Sequence, residues 1–171
     1  MQELKKDLFK CILDPEVDAI CITTNGNYTK NGIAIMGGGC AGEAARRWSS
    51  MPVRLGKMLK TFSANIPFVI GVLNEQGEEL ELTKEVITQR QFKCFVFSFP
   101  TINNLIDGSN IELIKRSAQI MADYANQYGL KKIILGRPGV GIGGLKWKDV
   151  KSAIESILDD RFIIVSFTHE E

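Results

Sequence analysis

Glycine placement carries the strongest chemical signal in this chain. Five of the 16 glycines fall within residues 32–42, and five more within residues 136–144. The first stretch reads Asn31-Gly32-Ile33-Ala34-Ile35-Met36-Gly37-Gly38-Gly39-Cys40-Ala41-Gly42. The second reads Gly136-Arg137-Pro138-Gly139-Val140-Gly141-Ile142-Gly143-Gly144. Each comes after an apolar, strand-like run and leads toward a helical pattern. Glycine admits left-handed backbone and lets a main chain approach a ligand closely. Successive N–H groups in such loops form anion-binding nests, and a following helix N-terminus adds a positive dipole end. One such loop is equally well a tight turn with no ligand. Two, each after a buried strand, suggest a pyrophosphate held from both sides.

Other chemistries fit poorly. Neither cluster is followed by Gly-Lys-Ser/Thr, so there is no Walker A loop. Both match Gly-x-Gly-x-x-Gly, through Gly37/Gly39/Gly42 and Gly139/Gly141/Gly144. The first match lies more than ten residues past its strand. The second has no following strand that ends in a ribose-binding acid, so an NAD-dependent oxidoreductase ranks behind other readings. Cys11, Cys21, Cys40 and Cys94 stand far apart, and His169 is the one histidine. Zinc ligation, a disulfide framework and a Ser-His-Asp site are therefore all disfavoured, and no metal or cofactor is expected. The cysteines read as reduced core residues of a cytoplasmic protein. Lys plus Arg is 21 and Asp plus Glu is 20, a net charge of +1, which argues against general nucleic-acid binding. No apolar run approaches the ~20 residues that cross a bilayer, so no membrane role is expected. The N-terminus lacks the apolar stretch of a signal peptide.

The elements that must position these loops are legible from periodicity. Apolar runs at residues 17–23, 68–73, 92–99, 132–135 and 162–165 are near-continuous, the pattern of strands buried on both faces. Asp7-Leu8-Phe9 is expected to add a short edge strand, and a turn around Gly77 to lead into another at residues 80–82. Ile111, Ile114, Ala118, Met121, Ala125 and Tyr128 form one helical stripe. Ser109 with Glu112 fits a capping box there, and Gly129 a C-terminal stop. Pro52 suits the first turn of a helix carrying Leu55, Met58, Leu59 and Phe62. Residues 43–48 read as a short helix, and Trp147, Val150, Ile154, Ile157 and Leu158 as a last stripe. Strands alternating with helices predict an α/β fold: a three-layer α/β/α sandwich on a mixed, mostly parallel sheet, with residues 1–171 as a single domain. Ligands of such folds bind at the carboxyl ends of the strands.

These residues resemble a known family. Asp18-Ala19-Ile20-Cys21-Ile22-Thr23-Thr24-Asn25 and Lys30-Asn31-Gly32-Ile33-Ala34-Ile35-Met36-Gly37 are similar to the first strand and ligand loop of macrodomains. The stretch from Gly136 through Gly143-Gly144-Leu145-Lys146-Trp147-Lys148-Asp149-Val150 is similar to their second loop and last helix, and Phe97-Ser98-Phe99-Pro100-Thr101 to the strand end between. The resemblance covers about residues 7–167. It is nearest to the small stand-alone macrodomains of bacteria and phages, related to ADP-ribose-1″-phosphate phosphatases and terminal ADP-ribose glycohydrolases.

What the resemblance implies is ADP-ribose, or a close derivative, as ligand. Asp7 would accept a hydrogen bond from the adenine amino group, with the backbone of Leu8 or Phe9 beside it. Asn25 would meet the distal ribose and is the one candidate for a catalytic role. Lys30, Asn31, Gly32 and Ile33 would wrap distal ribose and diphosphate, and Pro100 and Thr101, at the strand end between the loops, would also contact the ligand. Gly139, Val140, Gly141, Ile142 and Gly143 would donate N–H groups to the phosphates, and Phe167 would stack on adenine. Related glycohydrolases carry a lysine after Pro-Thr and an aspartate before the tryptophan. Here those positions hold Ile102 and Lys146, so a lysyl-adduct route is not expected. The expectation is a binding module, with an ADP-ribosylated macromolecule as a further candidate partner. The alternative is a hydrolase of ADP-ribose-1″-phosphate or of ADP-ribosyl adducts.

Overall fold

The computed structural model describes residues 1–166. Among them seven strands form one sheet: β1 (Gln2–Lys5), β2 (Ala19–Asn25), β3 (Val69–Leu73), β4 (Glu79–Leu80), β5 (Cys94–Ile102), β6 (Ile133–Gly136) and β7 (Phe162–Ser166). Their order is β1-β7-β6-β2-β5-β3-β4. Neighbours from β1 to β5 run parallel, while β3 is antiparallel to both β5 and β4. The helices are α1 (Gly39–Arg47), α2 (Met51–Phe62), α3 (Lys84–Thr88), α4 (Ile111–Tyr128) and α5 (Trp147–Ile154). This is the expected α/β/α sandwich on a mixed, mostly parallel sheet.

Alternation along β2 explains the continuous apolar runs. Ile20 and Ile22 point into one core with Ala44 of α1 and Met51 and Leu55 of α2. Ala19 and Cys21 point into the other, with Ile114 and Met121 of α4 and Val150 and Ile154 of α5. Both faces of the strand are covered over residues 19–22, so neither set of alternate positions is polar there. Among the described residues no helix is long and apolar enough to cross a membrane.

Several expectations change in detail. Asp7-Leu8-Phe9 is a turn rather than an edge strand. The Asp7 carboxylate accepts the Phe9 N–H at 2.9 Å, and the Asp7 carbonyl accepts the Lys10 and Cys11 N–H groups, which starts a 3-10 turn at Phe9–Leu13. The edge strand is β1, every residue of which is exposed. β4 ends at Leu80, closed by the Asn74 turn. β2 and β5 continue past their apolar runs through Thr24, Asn25, Thr101 and Ile102, with a register shift at Thr24/Asn25. α1 begins at Gly39, inside the glycine cluster. At α4 the capping side chain is Asn110, whose amide oxygen accepts the Leu113 N–H at 3.0 Å. Ser109 is drawn away from the cap, because its N–H bonds the Gly143 carbonyl. Gly129 closes α4 at φ 64°, as its position predicts.

Candidate functional site

A cleft crosses the carboxyl ends of β2, β5 and β6, where a sheet of this topology presents its ligand-binding edge. It has two adjoining lobes that share Gly39, Cys40, Gly136, Arg137 and Val140. One lobe, about 390 Å³, is lined by Thr24, Asn25 and Ile35, by Gly37 and Gly38, and by Thr101, Ile102, Leu105 and Ser109. Gly139, Ile142 and Gly143 close its other side. The second lobe, about 600 Å³, is lined by Asp7, Leu8, Phe9, Glu43, Gly141 and Val165 among others.

The first loop is shaped by Asn25. Its Nδ2 donates to the Ile35 carbonyl at 3.0 Å, and its Oδ1 accepts the Asn27 N–H at 2.9 Å. Asn25 lines the cleft, but its amide is engaged in holding the loop. Lys30, Asn31, Gly32 and Ile33 do not line the cleft, contrary to expectation. The Thr29 N–H bonds the Ile33 carbonyl at 2.8 Å and the Gly32 N–H bonds the Thr29 carbonyl at 2.9 Å, closing a separate turn. That turn packs on α2 at Gly56, where a Cβ would lie 2.0 Å from the Gly32 carbonyl oxygen. The residues presented to the cleft are instead Ile35, Gly37, Gly38 and Gly39. Three adjacent glycines running into the start of a helix were the available signal. Gly38 is the N-cap of α1, and no acid stands in the helix's first turn. The unpaired N–H groups and positive dipole end of that helix therefore meet the cleft.

The second loop is built on left-handed glycines: Gly139 at φ 77°, Gly141 at 79° and Gly144 at 79°. The Leu145 N–H bonds the Gly139 carbonyl, and the Gly144 N–H bonds the Gly141 carbonyl, both at 3.0 Å. The exposed Ile142 side chain reaches across the cleft. Its Cδ1 lies 3.8 Å from where a Cβ on Gly38 or Gly39 would stand. Gly139, Val140, Gly141, Ile142 and Gly143 all line one lobe or the other. Thr101 lines the cleft as well. Pro100 does not, since it is buried in β5 with its carbonyl accepting the Ser117 hydroxyl at 2.7 Å. Phe167 lies outside the described residues.

The side chains around the cleft offer little for bond-breaking chemistry. Ile102 lines it with an aliphatic chain, and Lys146 is exposed at the N-cap of α5, off the cleft. Burial pushes the Cys40 thiol up to about 11, which keeps it protonated at neutral pH. The Glu43 carboxyl is held low by hydrogen bonds from Arg46 and Arg47. The Arg137 guanidinium lies 5.1 Å over the Trp147 ring and 3.9 Å from the Glu3 carboxylate. No group of three His, Cys, Asp or Glu that could hold a metal occurs among the described residues. Two cleft residues that sequence reasoning missed, Thr24 and Ser109, bring buried hydroxyls with no partner.

No family model and no curated protein matches this chain by sequence. Solved structures do. The macrodomain of Thermus aquaticus DarG aligns with a TM-score of 0.67 at 22% identity, covering 96% of this chain and 95% of that one. The macrodomain of Mycobacterium tuberculosis DarG aligns with the same values. Thermosipho africanus DarTG, solved in complex with ADP-ribose, aligns with a TM-score of 0.68 at 17% identity over 95% of this chain and 40% of that chain. The chain therefore has the macrodomain fold.

Proposed function

We propose that the cleft binds ADP-ribose or a close derivative, and that it does so within one domain spanning the chain. The observation that carries this is the pair of glycine loops facing each other across the strand ends. Together with the α1 N-terminus they offer main-chain donors to a diphosphate from two sides. The lobe with Asp7 and Leu8 suits adenine, with the Asp7 carboxylate taking its amino group. The lobe with Asn25 and Thr101 suits the distal ribose. The Thermosipho africanus neighbour, solved with ADP-ribose, supports the same ligand. Binding without turnover is the favoured activity, because Ile102, the engaged amide of Asn25 and the protonated Cys40 provide neither nucleophile nor base. The distal lobe is rimmed by exposed Leu105 and Ile142, which leaves room for the remainder of an ADP-ribosylated macromolecule. The free thiols Cys11, Cys21, Cys40 and Cys94 suit a reducing, cytoplasmic setting.

Calorimetry with ADP-ribose, ADP-ribose-1″-phosphate and NAD tests the proposal. ADP-ribose should bind, and Asp7→Ala should weaken it by roughly 1–2 kcal/mol while leaving ribose-5-phosphate unaffected. Absence of any ADP-ribose binding would overturn the assignment. Release of ADP-ribose from its 1″-phosphate by the wild-type protein would replace the binding module with a hydrolase.

A further inference from the structure

We infer that Thr24 and Ser109 read the hydroxyl groups of the sugar beyond the diphosphate, so that side-chain hydroxyls, not the loop amides, select a ribosylated diphosphate over a plain one. This rests on the reading of the cleft as an ADP-ribose site.

Among the described residues, three buried side-chain polar atoms lack a hydrogen-bond partner: Thr24 Oγ1, Ser109 Oγ and Asn65 Oδ1. The first two residues line the lobe that also holds Asn25, Ile35 and Ile102, and Asn65 lines neither lobe. A buried hydroxyl left unpaired is costly, and native proteins retain few of them. Thr24 is only 5% exposed. Strand alternation sends it to the same face as Ile20 and Ile22, beneath the first loop. Ser109 comes from the opposite side, beneath the second loop. Its Oγ would lie 2.1 Å from a Cβ on Gly143, so the hydroxyl fills the space where that residue lacks a side chain. One hydroxyl therefore stands behind each loop, and neither lines the lobe that holds Asp7.

The chemistry distinguishes the two kinds of donor. A main-chain N–H only donates and suits a phosphate oxygen. A side-chain hydroxyl both donates and accepts, the pattern that matches a sugar hydroxyl. Of the other polar side chains expected to meet this sugar, Lys30 and Asn31 lie off the cleft, and the Asn25 amide is already engaged with Ile35 and Asn27.

The test is calorimetry of Thr24→Val and Ser109→Ala with ADP-ribose and with ADP, beside thermal unfolding of each variant. Both substitutions remove a hydroxyl with almost no change of shape. Each should weaken ADP-ribose about tenfold and leave ADP within about twofold. The melting temperature should hold or rise, because an unpaired buried polar atom is gone. Thr24→Ser, which keeps the hydroxyl, should retain most of the affinity. Unchanged ADP-ribose affinity in both variants, or an equal loss for ADP, would overturn the inference. A wild-type protein that fails to bind ADP-ribose would instead overturn the function on which it rests.

Discussion

Gly37 and Gly38 of the first loop face Gly139 and Gly143 of the second across the cleft, and the two pairs lack side chains for different reasons. Gly139 sits at φ 77°, and a Cβ there would lie 2.7 Å from Ile114 Cδ1 and 2.9 Å from Leu145 Cδ1. Gly143 would collide with Ser109. In the second loop the protein itself occupies the space or dictates the backbone. Gly38 has φ −133°, a conformation open to any residue, and Gly37 is not among the left-handed glycines. A Cβ on Gly37 meets nothing within 4 Å, and one on Gly38 meets only the tip of Ile142 at 3.8 Å. Neither strain nor packing requires glycine there. What its absence of side chain preserves is open space in front of the α1 N-terminus, which is where a ligand must come close. Gly139 and Gly143 are glycines so that the second loop can fold, whereas Gly37 and Gly38 are glycines so that the first can be approached; Gly39, at φ 55°, is glycine for its backbone.

The contrast can be broken most forcefully at Gly139. Gly139→Ala combines a left-handed alanine with overpacking against α4, and should cost about 2–4 kcal/mol of stability. For a chain of this size that is roughly 5–15 °C in melting temperature, read by thermal unfolding. A variant melting with wild type would mean that the second loop is not packed as described. Gly37→Val should do the reverse. Stability should stay within about 0.5 kcal/mol, while ADP-ribose affinity in calorimetry falls at least tenfold, about 1.4 kcal/mol. If Gly37→Val binds normally, the first loop is no cradle and the difference between the loops disappears. Gly141 is the wrong place to separate the causes, because at φ 79° with open space around it a side chain would bring strain and obstruction together.

The same contrast explains what was legible in the sequence. The central strands were, because burial on both faces makes β2, β5, β6 and β7 continuous apolar runs. Their carboxyl ends were not, since Thr24, Asn25 and Thr101 are polar where the strand enters the cleft, and hydropathy stops before the hydrogen bonding does. β1 carries no buried residue and so no periodicity. α3 has no fully buried residue either, which leaves it without a stripe to read. The glycine loops were visible as composition, but which glycines face the ligand was not. That depends on Gly56, far away in sequence, pinning Gly32 to α2. Ser109 and Asn110 are both acceptable caps locally, and only the contact of Ser109 with Gly143 decides between them.

The loops differ as well in what tethers them, and pH should expose it. The first is held by the neutral amide of Asn25. The exit of the second is held by Glu3 of β1, whose carboxylate accepts Trp147 Nε1 at 2.8 Å and Lys151 Nζ at 2.7 Å. The Lys151 hydrogen bond holds the Glu3 carboxyl below its ordinary 4.5, outweighing the opposing effect of burial. A carboxyl whose pKa is lowered by folding adds stability that is complete above its ordinary value and lost as pH falls through the folded one. Glu3 is 35% exposed, so solvent screening limits the contribution to under ~1 kcal/mol. Glu3→Gln should therefore melt about 1–3 °C below wild type near pH 7, and the gap should close as the pH is taken down through the lowered Glu3 value. Asn25→Ala removes no titrating group, so whatever deficit it shows at neutral pH should persist in acid. A Glu3→Gln deficit that also survived acidification would mean that the shape of the side chain, and not its charge, holds the second loop against β1. The two tethers would then be alike in kind.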